Sequence, residues 1–349
     1  MNKKTHNNLP QRFLGKSAKL ILRSAVVGIV SILAFALFLP SVYALTLIPP
    51  SLELGLTPNQ SSQVAIKLFN EEAKAVELYT EARNFDARGE TGQPEFDFNS
   101  DSFGLSSWMQ MESGPIVLGA GERYEVPVTI TPPLGADPGG HYAAVFFSTS
   151  PPEDGQVRIS SKVGTLVLAT VEGDIQENGE IAQFILKDGQ KVLTRLPVEF
   201  ITRFQNTGNI HLKPTGTITV SNLFGKMVTE LDFNTAQGAT LPSTTRKYET
   251  IWEQSAVNDS DGNFWKKFWQ EYTNEKNNFA IGKYTASQEI IAGEDGAIRD
   301  TAEVSFWIIP WRLLLVWFII AIVVVFVLII LIKKYNTWVV SKHAKTDKK

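Results

Sequence analysis

The chain of 349 residues reads as an all-β protein, with two tandem Ig-like β-sandwich domains followed by a single transmembrane α-helix. Three observations point there. Short runs alternate apolar and polar residues with the period of a half-buried strand. Turn-forming clusters of Gly, Pro, Asn and Asp separate those runs at sandwich spacing. One late stretch, residues 313–332, is twenty uncharged residues long, LLLVWFIIAIVVVFVLIILI. At about 1.5 Å rise per residue it matches the ~30 Å hydrocarbon core of a bilayer.

Residues 1–44 have the three-part pattern of an export signal. Lys3, Lys4, Arg12, Lys16, Lys19 and Arg23 form a basic region without an acid, residues 26–39 are apolar, and Val42-Tyr43-Ala44 places small residues where a signal peptidase reads. Cleavage after Ala44 is expected. Gly15-Lys16-Ser17 resembles the end of a phosphate-binding loop, but Pro10 stands where that motif needs its first glycine.

Residues 45–172 are predicted to form the first sandwich. Residues 124–130, YEVPVTI, alternate strictly, and Val64, Ile66 and Leu68 do so on an earlier strand. Residues 141–148, HYAAVFFS, are nearly all apolar and predict a central strand. Pro132, Pro133, Pro138, Gly139 and Gly140 make the preceding loop rigid.

Residues 173–306 are predicted to form the second sandwich, with strands at 198–204, 217–220 and 247–252. Asp188-Gly189 lies between Ile185-Leu186 and Val192-Leu193 and predicts a hairpin turn. Phe69-Asn70 and Phe204-Gln205-Asn206 each close a strand before a short turn, a weak internal echo between the halves. One segment breaks the β pattern. Trp265, Phe268, Trp269 and Tyr272 fall at i, i+3, i+4 and i+7, the stripe of an amphipathic helix. That stripe reads in three ways: a lid packed on the sandwich, a partner surface, or a contact with the outer leaflet of a membrane, with Lys266 and Lys267 toward the head groups.

Residues 307–334 are predicted to span the membrane and residues 335–349 to form a basic cytoplasmic tail. Lys333, Lys334, Lys342, Lys345, Lys348 and Lys349 follow the apolar run, so the tail is expected inside and the body outside. The run has no glycine, hence no GxxxG dimerisation face, and no charge, hence no relay.

The overall charge of −3 conceals a partition. Residues 45–311 hold 20 basic and 35 acidic side chains, which argues against a nucleic-acid partner. With no cysteine in the chain, disulfides, thiol catalysis and thiolate metal sites are excluded. No HExxH or GxSxG pattern is present, so neither an enzyme nor a cofactor is expected. Asp97, Asn99 and Asp101 have the spacing of half a calcium loop, but Ser102 replaces its glycine and Trp108 its final glutamate. Asp259-Ser-Asp261-Gly262-Asn263 is a second weak match.

Residues 50–54, 64–70 and the Pro132…Pro138-Gly139-Gly140-His141-Tyr142-Ala143-Ala144-Val145 segment resemble the DUF916 domain, the peptidoglycan-binding domain of WxL-interacting proteins of Gram-positive cell surfaces. Phe204-Gln205-Asn206-Thr207-Gly208-Asn209 and Pro214-x-Gly216-x-Ile218 are similar to the second domain of those proteins. The first half is also similar to periplasmic pilus chaperones. The resemblance implies a wall-associated adaptor that binds peptidoglycan, a surface protein, or both; it assigns no binding residues. The expected function is thus a membrane-anchored, extracellular, non-catalytic binding protein. A chaperone-like docking base for surface fibres is the alternative, and a membrane-bound hydrolase a distant third.

Overall fold

The computed structural model describes residues 45–96, 104–112, 114–150, 162–257 and 262–346, with side chains through Trp338. The export signal and the calcium-like residues Asp97, Asn99 and Asp101 lie outside the described residues, as do Asp259 and Asp261.

Ten strands build the first sandwich: β1 (Leu45–Ile48), β2 (Ser51–Leu56), β3 (Ser62–Asn70), β4 (Val76–Arg88), β5 (Gln93–Phe96), β6 (Met109–Gln110), β7 (Ile116–Leu118), β8 (Arg123–Ile130), β9 (Gly139–Ser148) and β10 (Lys162–Val171). One sheet has the order β1-β3-β8-β6. The other runs β2-β10-β9-β4-β5, with β7 also on β4. The strict alternation of residues 124–130 places Val126, Val128 and Ile130 in the core against Ile66, Leu68 and Phe147. A one-residue slip would turn all of them to solvent, at a cost of about 1.5–3 kcal/mol for each side chain. The apolar run at 141–148 forms β9, central in its sheet between β10 and β4. Ala143, Val145 and Phe147 face the core, while on the other face Tyr142 meets Phe85 and His211, and Phe146 meets Phe96.

The second sandwich contains β11 (Gly179–Leu186), β12 (Val192–Leu193), β13 (Val198–Asn206), β14 (Thr215–Asn222), β15 (Met227–Phe233), β16 (Thr245–Trp252), β17 (Gly282–Ala292) and β18 (Ile298–Ile308). A three-stranded sheet, β11-β13-β16, faces a five-stranded one, β12-β18-β17-β14-β15. Phe200, Ile218, Trp252, Tyr284 and Phe306 fill the space between them. The hairpin expected at Asp188-Gly189 does not form. Asp188 has the left-handed backbone of a tight turn (φ 57°), but β12 pairs in parallel with β18, Val192 against Trp307 and Leu193 against Ile308. The turn therefore carries the chain from one sheet to the other. Two residues of strand are too short to impose a register of their own, and packing of Leu193 on the core decides the partner.

The echo between the halves has one physical cause. Asn70 and Asn206 each end a strand fully buried. The Asn70 amide donates to the carbonyls of Lys74 (2.9 Å), Leu118 (3.2 Å) and Gly119 (2.8 Å). Asn206 donates to Ile210 (2.7 Å) and Thr240 (2.9 Å). Their own oxygens accept from the backbone N–H two residues on, Glu72 and Gly208. Each side chain thus stands in for a missing strand in satisfying buried carbonyls.

Two helices complete the fold. α1 (Phe264–Asn277) connects β16 to β17 and α2 (Trp311–Thr346) follows β18. Residues 311–338 of α2 are long and apolar enough to cross a membrane; their most apolar stretch has a mean hydropathy of 3.7 and is not buried inside the protein, whereas Leu313 at the helix start is buried. Trp307 belongs to β18, so the helix begins four residues later than Trp307.

Candidate partner-binding surfaces

Two of the turn motifs picked out in the sequence meet each other. Pro138-Gly139-Gly140 and Asn206-Thr207-Gly208-Asn209 form the seam between the sandwiches. Gly140 N–H donates to the Asn209 carbonyl at 2.7 Å. A Cβ on Gly139 would lie 2.6 Å from that same oxygen, and Gly139 has φ +119°. The Asn209 side chain holds the interdomain link, accepting from Gln176 N–H (2.7 Å) and donating to the Asp174 carbonyl (2.8 Å). A Cβ on Gly208 would sit 2.2 Å from the Gln176 carbonyl oxygen. The glycines are there because two backbones approach closely.

Charge reinforces the seam. Lys213 pairs with Glu53 across it, and His211 lies 3.8 Å from the same carboxylate. Burial pushes the His211 imidazole below its ordinary range, and Lys213 adds to that; the pull of Glu53 is too small to reverse it. The Tyr142 ring meets His211 edge-on at 5.8 Å, and burial raises the Tyr142 phenol well above its usual range. Beside the seam a cleft of about 470 Å³ opens between Phe85, Pro94 and Leu168 on one side and Leu241, Thr244 and Arg246 on the other. Arg246 fills part of it, donating to the Ala239 carbonyl (2.6 Å) and lying over the Tyr248 ring. Gly92 and Gly238 make room for its guanidinium, which a Cβ at either position would strike.

A second surface is the side of the second sandwich where β15 and β16 end their sheets. No strand pairs with the outer edge of either among the described residues. Between them lies a groove of about 1160 Å³, bordered by Glu230 and Asp232 of β15 and by Lys247, Glu249 and Ile251 of β16. The Lys247 N–H points outward and donates to the Glu90 carbonyl of the first domain at 2.7 Å. The Glu90 carboxylate is held by Arg203 at 2.7 Å. Because ladder bonds alternate along an antiparallel strand, Glu249 and Ile251 also direct their N–H and C=O groups outward. The first domain thus occupies one strand-type bond of this edge and leaves the next two positions open.

The third surface is α1. Asn263 caps it by accepting from the Lys266 N–H (3.0 Å), which gives that residue of the second calcium-like match a structural role. The aromatic stripe is not the face that packs on the sandwich, contrary to a lid. Trp265 and Trp269 are exposed at 65% and 51%, whereas Asn274, Glu275 and Asn278 are buried. Phe268 and Tyr272 are half-buried; Phe268 meets Trp311 at 6.3 Å and Tyr272 meets Trp269 at 5.5 Å. The buried polar face has a reason that sequence periodicity could not show. Glu275 receives the Arg312 guanidinium at 3.0 Å and the Leu313 N–H at 2.9 Å, both at the start of α2. Glu271 faces Arg195 at 3.2 Å and Arg312 at 3.8 Å.

Among the described residues no three His, Asp or Glu side chains converge as metal ligands. No family model matches the chain, and no curated protein matches it. Among solved structures it is similar to a chain of the chaperone–tip adhesin complex of CFA/I fimbriae biogenesis, at 11% identity, 75% coverage of this chain, 98% of that one and a TM-score of 0.37. It is similar to the class 5 fimbriae chaperone CfaA at 12% identity, 76% and 100% coverage and a TM-score of 0.33. The E. coli chaperone DraB follows at 10% identity, 76% and 97% coverage and a TM-score of 0.33.

Proposed function

We propose that this is a membrane-anchored, non-catalytic docking protein whose two-domain body, outside the membrane, holds an extended segment of another surface protein. The observation that carries the reading is the open outer edge of β16, with the Glu90 carbonyl already bonded to Lys247 N–H. An extended peptide can continue that line of bonds at Glu249 and Ile251 as an added strand. The groove toward β15 would then receive alternate side chains of the guest. The close, hydrogen-bonded seam supports the role, because an edge assembled from both domains keeps its geometry only if they do not swing. The lysines after the apolar helix support a cytoplasmic tail, with the body on the other side.

Glu249→Pro tests this directly. Proline removes one outward N–H and is tolerated on an edge strand, so the fold, followed by circular dichroism, should persist. Full-length protein solubilised in detergent should capture a discrete surface protein from its own cells, and the proline variant should not. Salt-resistant sedimentation with isolated cell walls, equal for both proteins and without protein capture, would replace this reading by direct glycan binding.

A further inference from the structure

The strand register identifies which end of the second domain carries α2. β18 ends at Ile308, three residues before α2. Gly282 pairs with Ile308, and Asn222 lies opposite Tyr284, itself opposite Phe306. The β14–β15 turn, residues 223–226, extends beyond Asn222. At about 3.3 Å per residue its tip reaches the level of Ile308. α1 sits at the same end, because it joins the last residues of β16 to the first of β17 and touches Trp311 through Phe268.

This end is where the exposed apolar side chains collect. Phe224 is 89% exposed at the hairpin tip beside Leu223, Trp265 and Trp269 protrude from α1, and Phe279 and Trp307 are also exposed. Of the large exposed apolar side chains in residues 172–310, Ile175 alone lies at the opposite end, among the described residues. Exposed cations flank the aromatics, with Lys226 next to the hairpin tip and Lys266 and Lys267 beside Trp265. The acids of α1 that face the fold, Glu271 and Glu275, are matched by Arg195 and Arg312. Exposed aromatics with lysines beside them suit the head-group layer of a bilayer, where apolar rings bury and ammonium groups meet phosphate. The face is continuous with α2, whose exposed Trp311 and Trp317 occupy its first two turns.

We infer that this end is a lipid-binding face: the Leu223–Phe224 hairpin tip and the first turns of α1 both seat in the interfacial layer of the bilayer that α2 crosses. With α2 they make three points of attachment, so the body stands on the membrane at a set angle and does not swing from a single helix. The inference rests on α2 spanning the membrane.

The absence of cysteine makes the test clean, since each introduced thiol carries the only spin label. Full-length Phe224→Cys, Trp265→Cys, Val324→Cys and Leu134→Cys are labelled in nanodiscs of phosphatidylcholine and phosphatidylglycerol. Collision with oxygen, which partitions into lipid, is compared with collision with a water-soluble nickel chelate. Val324 marks the middle of α2 and Leu134, 80% exposed on the first domain, marks water. Labels at 224 and 265 should favour oxygen, as at 324, with 134 the reverse. A water signature at 224 or 265 with lipid at 324 overturns the inference and leaves that face wet or open to a protein. A water signature at 324 removes the anchor itself, and the lipid-binding face with it.

Discussion

The carboxylate of Glu275, with no exposed surface, lies 3.0 Å from the guanidinium of Arg312, joining α1 to the first turn of α2 across 37 residues of sequence. It also accepts the Leu313 N–H, one of the unpaired donors at a helix start, where a negative charge is favoured by the helix dipole. Glu275→Leu should cost about 3 kcal/mol, because it strands the partly buried Arg312. The double change Glu275→Leu with Arg312→Met should recover much of that loss. Thermal unfolding of the detergent-solubilised chain reads both; equal stability of the single variant and the parent would show that the pair does not join the helices.

Asn70 and Asn206 should be equivalent in their separate domains. Asn70→Ala removes an amide that serves three carbonyls and should cost about 2–3 kcal/mol. Asn70→Asp should do no better, since a carboxylate would face those same carbonyl oxygens. The corresponding changes at Asn206 should lower stability by a similar amount. Denaturant midpoints measure this, and a neutral alanine at either site would refute the shared role.

The seam should weaken on acidification. The His211 pKa is lowered in the fold by burial, so the unfolded chain binds a proton that the folded chain resists. Its contribution is complete above the unfolded value of about 6.5 and is lost as pH falls through the lower folded value. The stability difference between pH 7.5 and pH 5 should therefore shrink in His211→Gln relative to the parent. An unchanged difference would mean that His211 titrates freely beside Glu53 and Lys213.

Gly139→Ala should loosen the joint between the sandwiches. The new methyl would meet the Asn209 carbonyl at 2.6 Å, at a backbone angle that L side chains avoid, a strain of about 1–3 kcal/mol. The expected readout is faster proteolysis of the interdomain link near Asp174, with each sandwich still folded. Proteolysis at the parent rate would contradict a close seam.

Much of this architecture could be read from the chain. Alternation in residues 124–130 and 198–204 marked true strands because one face of each had to be apolar. The apolar run after Leu313 matched a bilayer by length, and the spacing of Trp265, Phe268, Trp269 and Tyr272 marked α1 as a helix. The face of that helix was not legible. Periodicity reports which side chains are alike, and the buried face of α1 is polar because Arg195 and Arg312, far away in sequence, supply its counter-charges. The hairpin at Asp188-Gly189 failed for a related reason: a turn signal bends the chain without naming the strand that waits beyond it. The open edge of β16 depended on which strands remained unpaired after the sheets closed.

By itself the sequence determined several of the strands, among them those at 124–130, 141–148 and 198–204, the β-sandwich class and the apolar helix, since those follow from the local order of apolar and polar residues. Only the tertiary structure decided that the Gly139-Gly140 and Asn206–Asn209 motifs weld one domain to the other, that Glu275 belongs to Arg312, and that Phe224 and Trp265 share one end. Those relationships join residues tens of positions apart, and the free energy that selects them exists only once the backbones have met.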